Sequence, residues 1–130
     1  MSEKKKKVIL VEDDLAIIDI YQTMIQKAGF DVEAIGSGQE VIKKIKELKA
    51  GDPSKPDIVL LDLILPDING IEVLKEIRKN NTTKDICVFI LTNQEESQIS
   101  KLDGIKPDKF IIKANITPIQ LVALIKEQLQ

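Results

Sequence analysis

Five short runs rich in valine, isoleucine and leucine recur along the chain, each followed by a stretch with helical spacing. This alternation limits the fold more than any other feature. The runs fall at 8–11, 30–35, 58–61, 86–91 and 110–112. The first, third and fourth are unbroken apolar runs, the pattern of parallel strands covered on both faces. Helix signals stand between them. Ser37 with Glu40 three residues on has capping-box spacing, and Val41, Ile42, Ile45 and Leu48 follow on one face. Asn69 and Glu72 open another helix, carrying Ile71, Val73, Leu74 and Ile77. Thr117, Pro118 and Gln120 mark a third start, with proline in the first turn. Leu15, Ile18, Tyr21, Ile25 and Ala28 stripe the first helix, which Gly29 ends. A short polar helix is expected over 95–102, stopped by Gly104 and Pro107.

Strand and helix alternating five times predict βαβ units on one parallel sheet, an α/β domain spanning 1–130. The basic stretch 1–6 reads as a solvated tail, and 50–56 as a surface loop. The longest apolar run, 86–91, falls far short of a bilayer span, and no secretory signal precedes 8–11. A cytoplasmic chain without membrane contact is the expectation.

Composition removes whole classes of chemistry. There is no histidine, so imidazole general-base catalysis, a Ser-His-Asp triad and the usual zinc ligands are excluded. One cysteine permits no intrachain disulfide. Nineteen basic residues against 21 acidic ones lack the strongly basic balance of a nucleic-acid binder. The remaining chemistry belongs to carboxylates, hydroxyls, amines and the backbone.

In a parallel sheet of this kind, ligands sit beyond the carboxyl ends of the strands. The first strand ends in Glu12, Asp13 and Asp14, the third at Asp62, the fourth at Thr92 and the fifth at Lys113. Clustered carboxylates repel one another, and a hard divalent cation such as Mg²⁺ relieves this while leaving room for phosphate oxygens. Asp14 reads as a plain helix cap, whereas Glu12 and Asp13 stay open between structural and ligand roles. Asp62 interrupts an apolar stretch, where an unpaired carboxylate is costly. Accepting a phosphoryl group is one purpose that would justify it. Lys113 would supply positive charge and Thr92 a hydrogen bond to phosphate.

The segments VILVEDD at 8–14, KPDIVLLDLILPDING at 55–70, FILTN at 89–93 and DKFIIK at 108–113 resemble the receiver domain of two-component response regulators. The gaps are similar too: 49 residues from Asp13 to Asp62, 30 to Thr92 and 21 to Lys113. The resemblance implies a doubly wound, flavodoxin-like (βα)5 fold with strand order 2-1-3-4-5. It implies a phosphorelay role in which Asp62 takes phosphate from a phosphohistidine on a histidine kinase or histidine phosphotransfer protein. Asp13, Asp62 and the backbone carbonyl of Ile64 would ligate Mg²⁺, with Glu12 close by through water. Thr92 and Lys113 would engage the phosphoryl group. Phe110 fits the aromatic switch position, and equally a plain core aromatic.

Three positions depart from the family pattern. Ala114 replaces the usual proline after the lysine, predicting a looser loop around Lys113. Asn93 replaces a small residue after Thr92, predicting a narrower approach to Asp62. The stretch 95–102 is short and polar, where the family's output surface usually lies. With the chain stopping at Gln130, the expectation is a stand-alone receiver with no output domain. Its output would be an unknown downstream protein, onward phosphotransfer, or a homodimer through the fourth helix, fifth strand and fifth helix. Three other readings are weaker. An aspartate-nucleophile phosphohydrolase needs a second acid where Ile64 stands, and a phosphorylation-independent binding module would not need the full acid, threonine and lysine set. A mononucleotide binder needs a phosphate-cradling loop where Glu12 to Asp14 stand.

Overall fold

Side chains alternate across a strand, so an unbroken apolar strand must feed two cores at once. The computed structural model, which describes residues 5–94 and 105–130, shows this division. Its strands are β1 Lys7–Val11, β2 Asp31–Ile35, β3 Ile58–Leu61, β4 Cys87–Thr92 and β5 Lys109–Ile112. They form one parallel sheet in the order β2-β1-β3-β4-β5, as the resemblance implied. From the three central strands, Ile9, Val11, Val59, Leu61, Val88 and Ile90 face one core. Val8, Leu10, Ile58, Leu60, Phe89 and Leu91 face the other.

Helices α2 Gly38–Glu47 and α3 Gly70–Lys79 cover the first core through Val41, Ile45, Val73, Leu74 and Ile77. Helices α1 Leu15–Lys27 and α4 Pro118–Leu129 cover the second through Tyr21, Ile25, Leu121 and Ile125. Each fully buried Leu, Ile or Val contributes about 1.5–3 kcal/mol. The last helix is numbered α4 because the expected helix over 95–102 lies outside the described residues. No helix among them is long and apolar enough to cross a membrane.

The helix ends mostly follow the sequence signals. Thr117 and Gln120 form a complete capping box, and Asn69 accepts the Ile71 N–H. Gly29, at φ +98°, ends α1 in a Schellman turn: its N–H reaches Gln26 and that of Phe30 reaches Ile25. Two details differ. Leu15 is 81% exposed, because the apolar stripe begins one turn later with Ile17 and Ile18. Glu40 does not complete a box with Ser37; Asp67, from the loop after β3, supplies the second cap instead.

A second tie anchors the opposite end of the sheet. The Arg78 guanidinium donates to the carbonyls of Lys84, Ile86 and Lys106 and to the Asp108 carboxylate, which also accepts the Val88 N–H. One side chain thereby joins the end of α3 to the starts of β4 and β5.

Gly70 has no room for a side chain. A Cβ there would stand 2.1 Å from the Asp62 carbonyl oxygen and 2.8 Å from the Leu63 Cα. Both obstacles are backbone, so neither can rotate away. Gly70→Ala is expected to lower unfolding free energy by about 2 kcal/mol or more, measured by urea denaturation followed by circular dichroism. A wild-type midpoint would show that α3 shifts freely.

Candidate functional site

Parallel pairing brings the ends of β1, β3 and β4 to one rim. Val11 pairs with Leu61, and Leu61 with Ile90, so the residues just beyond them meet there. Glu12 follows β1, Asp62 follows β3 and Thr92 closes β4. All three are buried, at 2%, 6% and 0% exposure. Lys113 opens a 3₁₀ turn, Lys113–Asn115, directly after β5.

The two buried carboxylates are held alike. Glu12 Oε1 accepts the Asp14 N–H at 3.1 Å, and Asp62 Oδ1 accepts the Ile64 N–H at 3.1 Å. The remaining oxygen of each faces the Lys113 ammonium, with Nζ 2.7 Å from Asp62 Oδ2 and in direct contact with Glu12 Oε2. Burial raises the Glu12 carboxyl above its ordinary range, outweighing the hydrogen bonds from Lys113 and Asp14. Burial acts to lower the Lys113 ammonium, yet its bonds to Asp62 and Glu12 carry it above the ordinary lysine value. The lysine therefore stabilises the fold throughout the range below its unfolded value. That contribution is lost only as pH rises through the folded value.

Thr92 Oγ1 accepts the Gln94 N–H at 3.4 Å, and the carboxamide oxygen of Gln94 is buried without a partner among the described residues. Asp13 is exposed. Asp14 caps α1 by accepting the Ala16 and Ile17 N–H groups, the structural role read for it. Ile64, 56% exposed, leaves its side chain outside the core. Phe110 is half-buried against the α2–α3 core and pairs with Ile90.

Among the described residues, no three carboxylate, thiol or imidazole groups are gathered to hold a metal as they stand. Lys113 occupies the position between Glu12 and Asp62. The donor chemistry nevertheless fits a hard cation. Asp13, Asp62 and the Ile64 carbonyl offer oxygen only, the donor type such a cation takes.

Two features escaped the sequence reading. Asp67 reaches from the β3–α3 loop to the start of α2, accepting from Ser37 Oγ, the Gly38 N–H and the Gln39 N–H. The Gln39 N–H, with the Ser37 hydroxyl and Gly38 N–H, holds its carboxyl down at about 2. The resulting stabilisation is present above the ordinary carboxylate range and lost as pH falls toward 2. The second feature concerns the loop bearing Lys113. The Ala114 N–H, which proline would lack, ties it to Asn93 Oδ1 at 3.1 Å.

Residues 8–126 match the family model of the response regulator receiver domain. The chain belongs to that family. This receiver is 28% identical to the DNA-binding response regulator MtrA of Mycobacterium tuberculosis over 130 residues, covering 100% of this chain and 53% of MtrA. It thus spans about half the length of that relative. Among solved structures, it is similar to the phosphorylated cyanobacterial phytochrome response regulator RcpA. That match has 30% identity and a TM-score of 0.78, over 96% of this chain and 91% of RcpA. A CheY-like receiver domain from Methanospirillum hungatei superposes with a TM-score of 0.82 at 26% identity, over 97% of this chain and 94% of that one. Receivers are signalling modules, and phosphorelay signalling is the general role these likenesses support.

The ammonium between two buried acids gives a pH-dependent test. Lys113→Met leaves Glu12 and Asp62 without a cation, and the Glu12 carboxyl, already raised by burial, rises further once the lysine no longer lowers it. The cost is then present at neutral pH and fades as pH falls through that raised value. Urea unfolding is expected to show a loss of about 3 kcal/mol at pH 7.5 that shrinks toward pH 5. A loss equal at both pH values would mean that the lysine contributes packing alone.

Proposed function

We propose that this receiver accepts a phosphoryl group on Asp62 from a phosphohistidine of a histidine kinase or histidine phosphotransfer protein. The observation that carries this reading is a buried carboxylate at the carboxyl end of the central strand, 2.7 Å from a lysine ammonium. A carboxylate so placed would be wasteful as structure and is well suited as a nucleophile. In the transfer, an Asp62 oxygen bonds to phosphorus as the bond from phosphorus to the donor imidazole nitrogen breaks. The electron pair stays on that nitrogen, which takes a proton from solvent. Lys113 balances the charge on the phosphoryl oxygens, and the Ile64 N–H keeps the carboxylate oriented.

Asp13, Asp62 and the Ile64 carbonyl would hold Mg²⁺, with Glu12 assisting through water. When bound, the ion supplies charge neutralisation for the incoming phosphate. Thr92, buried beside Asp62, then turns its hydroxyl toward the phosphoryl oxygens, and Phe110 repacks in response. The outer surface of β5 and α4, with the segment before them, changes as the two-state balance shifts. A hydrolase reading is disfavoured because the residue two after Asp62 is Ile64, exposed and apolar, with no group to orient water.

Acetyl phosphate with Mg²⁺ is expected to add one phosphoryl group to the wild type and none to Asp62→Asn, read by intact mass. The same gain in the variant would place the acceptor elsewhere. The aspartyl phosphate should be long-lived, since Ile64 offers nothing to orient an attacking water. A half-life of seconds after removal of the donor would contradict this.

A further inference from the structure

Lys113 projects from the free end of an edge strand. Among the described residues β5 pairs with β4 alone, and none of its residues is fully buried, so packing does little to fix the turn that follows. That turn is closed by the Ile116 N–H on the Lys113 carbonyl at 3.3 Å. The leading N–H groups of a helical turn have no partner within it. Here the Ala114 N–H finds one in Asn93 Oδ1, the side chain next after Thr92. The bond thus crosses from the end of β4 to the end of β5, one residue beyond Thr92 and one beyond Lys113.

Positions 93 and 114 answer each other chemically. Proline at 114 would have no N–H to donate, and it would steer Lys113 away from the helical conformation of its turn. Alanine allows both the turn and the bond. A small apolar residue at 93 would offer no acceptor. The two departures from the family pattern therefore meet in one hydrogen bond.

We propose that Asn93 is a positioning residue for Lys113: its carboxamide oxygen holds the Ala114 N–H and so fixes the turn from which the ammonium reaches Glu12 and Asp62. The same bond couples Thr92 to Lys113, because a displacement of either strand end is passed to the other. Its effect on phosphoryl transfer rests on the reading of Asp62 as acceptor; the bond and its hold on Lys113 do not.

The test uses the whole ¹⁵N-labelled chain, first without metal or phosphodonor. Two signals are followed by NMR: hydrogen exchange of the Ala114 amide, and the ammonium cross-peak of Lys113, visible only while the group is held out of rapid exchange with water. Asn93→Ala is expected to speed Ala114 exchange by about fivefold and to weaken the Lys113 peak. Asn93→Asp, which keeps an oxygen acceptor, should preserve both. Asn93 is exposed, so neither variant removes a core contact. Unchanged exchange and an unchanged Lys113 peak in Asn93→Ala would overturn the proposal. With acetyl phosphate and Mg²⁺, Asn93→Ala should then gain phosphate severalfold more slowly. The double variant Asn93→Ala/Ala114→Pro should be no slower than Ala114→Pro alone. A wild-type rate in Asn93→Ala would overturn the positioning role. If the wild type itself takes no phosphate while Lys113 still answers to Asn93, the acceptor reading fails and the positioning of Lys113 stands.

Discussion

One ammonium group makes the rim of this sheet tenable. Parallel pairing forces the residues after β1 and β3 into neighbouring buried positions, and both are acids. Two desolvated carboxylates so placed would repel, and among the described residues each receives only one backbone N–H, from Asp14 and from Ile64. Lys113 resolves the conflict from the turn after β5, 51 residues beyond Asp62 and 101 beyond Glu12, farther than any local cap could reach. Register, edge-strand placement and the turn after β5 all have consequences through this contact.

The fold was legible because its signals are local. Unbroken apolar runs at 8–11 and 58–61 appear as strands buried on both faces, and Thr117 with Gln120 forms the box its spacing promised. The acids and lysine at the strand ends were legible for a related reason: a parallel sheet sends every strand's carboxyl end to one side. Leu15 misled because an apolar residue in the first turn of a helix can still lie outside the buried stripe.

What stayed hidden is long-range and polar. Asp67 sits in a proline-containing turn and looks like ordinary turn chemistry, yet its partners lie about 30 residues earlier. Arg78 reads as a cation in the last turn of α3, a favourable place for one, while its acceptors come from two other connections. Asn93 and Ala114 look like two independent departures, and only their proximity shows them as a pair. Spacing along the chain carries no information about such contacts.

The loop after β3 is fastened at its start, middle and end. Its start is tied to Asp62 through the Ile64 N–H, and the Gly70 N–H on the Leu63 carbonyl closes its far end. Its middle is fastened to α2 by Asp67. With α2, α3 and β3 joined in this way, that side of the rim behaves as a fixed jaw. Across the rim, the bond from the Ala114 N–H to Asn93 Oδ1 is the tie that the described residues show beyond the paired ends of β4 and β5. A displacement of Asp62 would therefore reach Lys113 through their direct contact, with little lost in deforming the loop behind it.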